Sequence, residues 1–184
     1  MPLTQLDAVA AVIVIDLQKG IVAIPTPHTT TEVVDRSAQL ARAFRQRKMP
    51  VVLVNVTPVA AGRTDVARPK MPLPPDWSDL VPQLDTQATD HLVTKHRPGA
   101  FIGTDLDAYL RSRRVTQVFI TGVSTSVGVE STARSAYDLG YNVVLVTDAM
   151  TDRTPEAHRH SIDSVFPRIA ETCTTAEALK ALSS

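Results

Sequence analysis

The chain is poor in several features that would fix a function at once. It has one cysteine, Cys173, in 184 residues, so no internal disulfide can form. Such a chain suits a reducing compartment, and the cytoplasm is the expected location. It has no surplus of charge, since 19 Lys and Arg balance 19 Asp and Glu. That balance gives no attraction to nucleic acid or to an anionic membrane, so neither is an expected partner. No apolar run approaches the roughly 20 residues needed to cross a bilayer. The longest, AVAAVIVI, stops at Asp16. The amino terminus carries no basic segment followed by an apolar core and a cleavage site, so no export signal is read there. No glycine-rich phosphate loop follows a strand. His28, His91, His96, His158 and His160 form no tight cluster with acids, so no metal and no other cofactor is expected. His158 and His160 are two apart on a helix and do not share a face.

What is present reads as one globular domain spanning residues 1–184, with 43% hydrophobic and 21% charged residues. Apolar runs alternate with helical patterns. VAAVIVI (9–15), VVLVNV (51–56), HLVTK (91–95), VTQVFITG and NVVLVTDA are short runs rich in β-branched residues, as buried strands require. Residues 170–174 read as a last edge strand. Helices are expected over 31–48, 104–114, after Gly122, from the Thr154-Pro155-Glu156 start to about Phe166, and over TAEALKAL. Residues 57–90, with PKMPLPPDW inside them, are too long and proline-rich for a plain connection and read as a site-covering loop. Strands separated by helices imply a parallel sheet covered on both faces, a three-layer α/β fold with six strands. Ligands bind at the carboxyl ends of such strands.

Three strand ends carry residues with chemistry. Asp16 closes the first run, where it either caps a turn or serves as acid or base. Gln18 either completes that turn or orients a substrate. Lys95 closes the third run, as a solvated cation or as the charge partner of Asp16. TGVSTSVGVESTAR, from Thr121, carries the chain from strand to helix. Its glycines allow close backbone approach, and a helix start favours an anion. Ser124, Thr125 and Ser126 read as caps more readily than as nucleophiles. Arg63 and Arg97 are candidate carboxylate anchors on loops. Cys173 lies away from every strand-end motif and reads as a buried structural thiol.

VIVIDLQKG, the stretch from Lys95 to Arg134 and YNVVLVTDAMTD, taken together and in this order, resemble the isochorismatase-like hydrolases over nearly the whole chain. The resemblance implies a Rossmann-like sheet in the order 3-2-1-4-5-6 and a cis peptide at Val123–Ser124. It implies a homo-oligomer, dimer or tetramer. Most of that family are cysteine amidohydrolases with an Asp-Lys-Cys triad. Asp16 and Lys95 match the first two members, while Gly128 stands where the cysteine would be. The metal-binding Asp-x-His element of the nicotinamidase branch is absent from VNVTPVAAGRTD. Isochorismatases proper carry glycine at this position and hydrolyse a vinyl ether without a covalent intermediate, releasing pyruvate.

The resemblance therefore points to acid-catalysed enol-ether hydrolysis of a small molecule. Asp16, Lys95 and Gly128 would form the catalytic set, and Gln18, Arg63, Arg97, Val123, Ser124 and Thr125 the substrate contacts. Gly128 is expected to leave empty space where the sulfur would sit. Two alternatives stay open: amide or other C–N hydrolysis with Asp16 activating water, and a binding protein that has lost its nucleophile.

Overall fold

In the computed structural model, residues 3–57, 63, 65 and 72–183 are described. The β-branched runs become strands: β1 (Ala10–Ile15), β2 (Val51–Val56), β3 (His91–Lys95), β4 (Gln117–Val123), β5 (Asn142–Thr151) and β6 (Glu171–Cys173). All neighbours are parallel, in the order β3-β2-β1-β4-β5-β6. The expected order and class are thus found.

Between the strands run α1 (Lys19–Val22), a single turn, then α2 (Thr30–Gln46), α3 (Leu106–Ser112), α4 (Glu130–Asp138) and α5 (Pro155–His160), and α6 (Thr175–Ser183) follows β6. Alternation along β1 divides the core. Val12 and Val14 face Leu40, Phe44 and Ala178 on the side of α2 and α6. Ile13 and Ile15 face Leu110, Ala133 and Phe166 on the side of α3 and α4. Burying both faces explains why β1 and β4 read as continuous apolar runs.

Some boundaries differ from the sequence reading. The helix expected over 104–114 is shorter at its start because Thr104 Oγ1 accepts the Leu106 N–H at 3.3 Å and donates to the Ala100 carbonyl at 2.5 Å. It ends before Arg114, whose φ is 57°. The helix begun by Thr154 has the expected cap, its side chain accepting the Ala157 N–H. It then widens into a π-helical turn over Ser161–Val165 and a tight turn over Phe166–Arg168. β5 runs past Ala149 to Thr151, because its register against β4 shifts between Ile120 and Gly122. The excursion after β2 is described in part: a tight turn at Pro82–Leu84 and a bridge between Gln18 and Leu80. Residues 58–62, 64 and 66–71 of the expected covering loop lie outside the described residues.

Candidate active site

The crossovers leave β1 in one direction and β4 in the other, so the switch point of the sheet lies between these two strands. Both expected landmarks open there. β1 and β4 meet closely: Ile15 pairs with Gly122, whose φ is 116°. A side-chain carbon at Gly122 would lie 2.0 Å from the Ile15 carbonyl oxygen, so only glycine fits. The Val123–Ser124 peptide is cis, as the resemblance implied. The chain then enters a π-helical turn, Thr125–Val129, in which the Val129 N–H reaches back to the Ser124 carbonyl. Such widened turns concentrate at functional sites.

Asp16 follows β1 with φ 53°, in the left-handed region that few non-glycine residues adopt. Its side chain turns into the fold and the residue is 5% exposed. Lys95, 2% exposed at the end of β3, places Nζ 2.8 Å from Asp16 Oδ2 and also donates to the Arg97 carbonyl at 3.3 Å. Asp16 Oδ1 is buried with no hydrogen-bond partner among the described residues. An ion held out of water with one oxygen unpartnered is costly. Burial accordingly pushes the Asp16 carboxyl up to about 6, against the opposing pull of Lys95.

These groups line a cavity of about 440 Å³. Asp16, Lys95 and Gly128 lie on it together, as do Val123 and Ser124. Ile21, Val56 and Val127 supply apolar wall, and Arg97 and Arg153 stand exposed on the lining. Neither guanidinium has a hydrogen-bond or ion-pair partner among the described residues.

Three expected contacts sit elsewhere. Gln18 is wholly buried, and its amide ties loop to strand. Nε2 donates to the Val56 and Trp77 carbonyls at 3.0 and 3.2 Å, while Oε1 accepts the Val56 N–H at 2.7 Å. This is the turn-completing role, and Gln18 does not line the cavity. Thr125 is also wholly buried and lies off the cavity, its hydroxyl 2.8 Å from His158 Nδ1. His158, whose ring centroid is 4.8 Å from that of His28, is held below the usual imidazole range by burial and then by His28. Arg63 is exposed and off the cavity.

Gly128 lines the cavity, but the position of a side-chain carbon there is crowded. A side-chain carbon there would sit 2.9 Å from Ile15 Cγ2 and 3.3 Å from both Asp16 Oδ2 and the Val123 carbonyl. A side-chain carbon at 128 would therefore need these neighbours to shift.

Asp152 and Arg153 line the cavity and were not among the expected contacts. Asp152 is buried, and its two oxygens accept the Ser126 and Arg153 N–H groups at 2.6 and 2.7 Å. It thereby holds the π-helical turn against the end of β5. The strand-end logic that found Asp16 also applies to it, but the extra length of β5 was not visible. Cys173 is buried on β6, and burial pushes its thiol up to about 12, in keeping with a structural role. Among the described residues, no three His, Cys, Asp or Glu side chains converge to hold a metal ion, and no helix is long and apolar enough to cross a membrane.

Comparison with known families settles the lineage. The isochorismatase domain model matches residues 10–177. The chain belongs to the isochorismatase family of hydrolases. The uncharacterized isochorismatase family protein YecD of Escherichia coli O157:H7 is 40% identical over 179 residues, covering 94% of this chain and 95% of its own. An isochorismatase family protein from Burkholderia thailandensis superposes with a TM-score of 0.93 at 41% identity, over 98% of each chain. Ureidoacrylate amidohydrolase RutB of Serratia proteamaculans is 35% identical over 101 residues, 52% of this chain and 41% of its own. Within this isochorismatase-family fold, the pair Asp16–Lys95 sits at the switch point with no side chain at position 128.

Proposed function

We propose that the site hydrolyses an enol ether on a small carboxylated molecule, with Asp16 as general acid and pyruvate as one product. The observation that carries this reading is the buried Asp16 carboxyl, poised at about 6 beside Lys95 on a cavity with no side chain at 128. Enol-ether cleavage needs an acid and a water, and no protein nucleophile. Asp16 gives its proton to the terminal methylene carbon of the enol. The resulting oxocarbenium carbon takes up water, which loses a proton. The hemiketal then collapses: its bond to the substrate oxygen breaks, giving pyruvate and the free alcohol.

Lys95 assists the first step. When Asp16 gives up its proton it becomes a buried carboxylate, and an ammonium 2.8 Å away stabilises that charge as it forms. Arg97 and Arg153, whose exposed guanidinium groups have no partner among the described residues, hold substrate carboxylate by charge-assisted hydrogen bonds. The apolar wall accepts the carbon body.

The likeness to RutB, whose name gives it as an amidohydrolase, favours a second reading in which an ionised Asp16 activates water for C–N hydrolysis. Incubation with isochorismate, following pyruvate, separates the two. Pyruvate release that is lost in Asp16→Asn is the expected result. Turnover of an amide panel with no pyruvate from isochorismate would replace this reading with the second.

A further inference from the structure

We infer that Ile15 is a specificity-determining residue: its Cγ2 methyl closes the position a side chain at 128 would need, and so keeps the site on non-covalent chemistry. The inference deepens the reading above and rests on it for the word non-covalent; the closure itself stands on geometry alone.

The absence of a nucleophile could be a bare loss, a side chain trimmed from a turn that still has room for it. The structure is built otherwise. A methyl group at 128 would meet Ile15 Cγ2 at 2.9 Å, closer than packed carbons approach. It would also press on Asp16 Oδ2 and the Val123 carbonyl, each 3.3 Å away. These three neighbours come from the last residue of β1, the acid that follows it and the last residue of β4, where the cis peptide begins.

None of them gives way easily. Ile15 is wholly buried, and its backbone is fixed on both sides by pairing with Val54 of β2 and Gly122 of β4. A β-branched side chain has restricted χ1 freedom, so Cγ2 cannot swing clear. Asp16 is tied to Lys95. The π-helical turn is held by Asp152 through the Ser126 N–H. Any side chain at 128 must therefore move the turn or displace the acid. Leucine at 15 would differ in the relevant way: it keeps the volume but has no branch at Cβ, so the contact at 2.9 Å is relieved.

The test is a cycle of Gly128→Ala, Ile15→Leu and the double variant, read by thermal unfolding and by ¹³C titration of the Asp16 carboxyl. Asp16→Asn identifies the resonance. Gly128→Ala is expected to lower Tm by several degrees and to shift the Asp16 midpoint, because the methyl displaces that carboxyl. Ile15→Leu alone changes both little. The double variant is expected to regain most of the lost Tm and to return the midpoint toward the wild-type value. If Gly128→Ala is insoluble while the double variant is soluble, the inference is equally supported. It is overturned if Gly128→Ala matches wild type in both measurements, if the double variant shows only the sum of the single effects, or if both variants carrying alanine are insoluble. Neither measurement uses a substrate, so failure of the enol-ether reading in the pyruvate assay would leave this result standing by itself.

Discussion

Lys95 Nζ lies 2.8 Å from Asp16 Oδ2, and both side chains are almost wholly withdrawn from water. Burial raises the Asp16 carboxyl and the lysine pulls it back, and the balance rests at about 6. The two chemistries considered for this site need opposite forms of that carboxyl. Enol-ether cleavage needs the proton present, so kcat/KM is expected to fall as pH rises through about 6. Activation of water needs the carboxylate, so its kcat/KM would rise over the same range. A profile between pH 4.5 and 8 on a turned-over substrate reads the sign directly. A rising limb would remove Asp16 as the acid.

Lys95→Met probes the other half of the pair. The lysine lowers the Asp16 carboxyl, so removing it should move the limb to higher pH, above about 6. Turnover should also drop, by roughly 10- to 100-fold, because the carboxylate left after proton transfer loses its counter-charge. The midpoint of the pH profile is the deciding measurement, since a general loss of structure would lower the rate without moving it in this direction. A midpoint that stays or falls would show that Lys95 does not set the acid.

How much of this was legible in the sequence follows from the range of the interactions. Asp16 and Lys95 each close an apolar run, and a parallel sheet aligns strand ends, so their meeting could be read along the chain. Gly128 was visible through its motif. Asp152 obeys the same strand-end logic, yet the apolar run of β5 stops at Val146 and the strand continues to Thr151 only through a register shift against β4. Gln18 was ambiguous because its partners, Val56 and Trp77, are 38 and 59 residues away. The closure of position 128 was hidden for a related reason. It depends on where one methyl of Ile15 points across the β1–β4 junction, which no spacing in the sequence encodes.

Arg97 and Arg153 lie on the cavity from the segments after β3 and β5. Both side chains are exposed, and neither guanidinium has a hydrogen-bond or ion-pair partner among the described residues, so removing the charge leaves the packing of the fold intact. Arg97→Gln and Arg153→Gln are each expected to change stability by no more than about 0.5 kcal/mol. If they hold substrate carboxylate, each should raise KM by roughly 10-fold, the loss of a charge-assisted contact worth about 1.4 kcal/mol, with a smaller effect on kcat. Steady-state kinetics paired with chemical denaturation separates binding from folding. An unchanged KM in both variants would place the carboxylate elsewhere on the cavity.

Gly122 carries the opposite kind of constraint, in which the fold and not the chemistry dictates the residue. Its φ of 116° lies where side-chain-bearing residues are strained, and the added carbon would overlap the Ile15 carbonyl oxygen at 2.0 Å. That oxygen belongs to the strand that positions Asp16, and β1 is fixed on its other side by β2. Relief can come only by separating β1 from β4 at the switch point. Gly122→Ala is therefore expected to cost at least about 3 kcal/mol, combining backbone strain with overpacking. Urea denaturation measures it. A variant of wild-type stability would mean that the two strands separate easily at this point, and the close junction that sets Asp16 against the turn would no longer explain the geometry of the site.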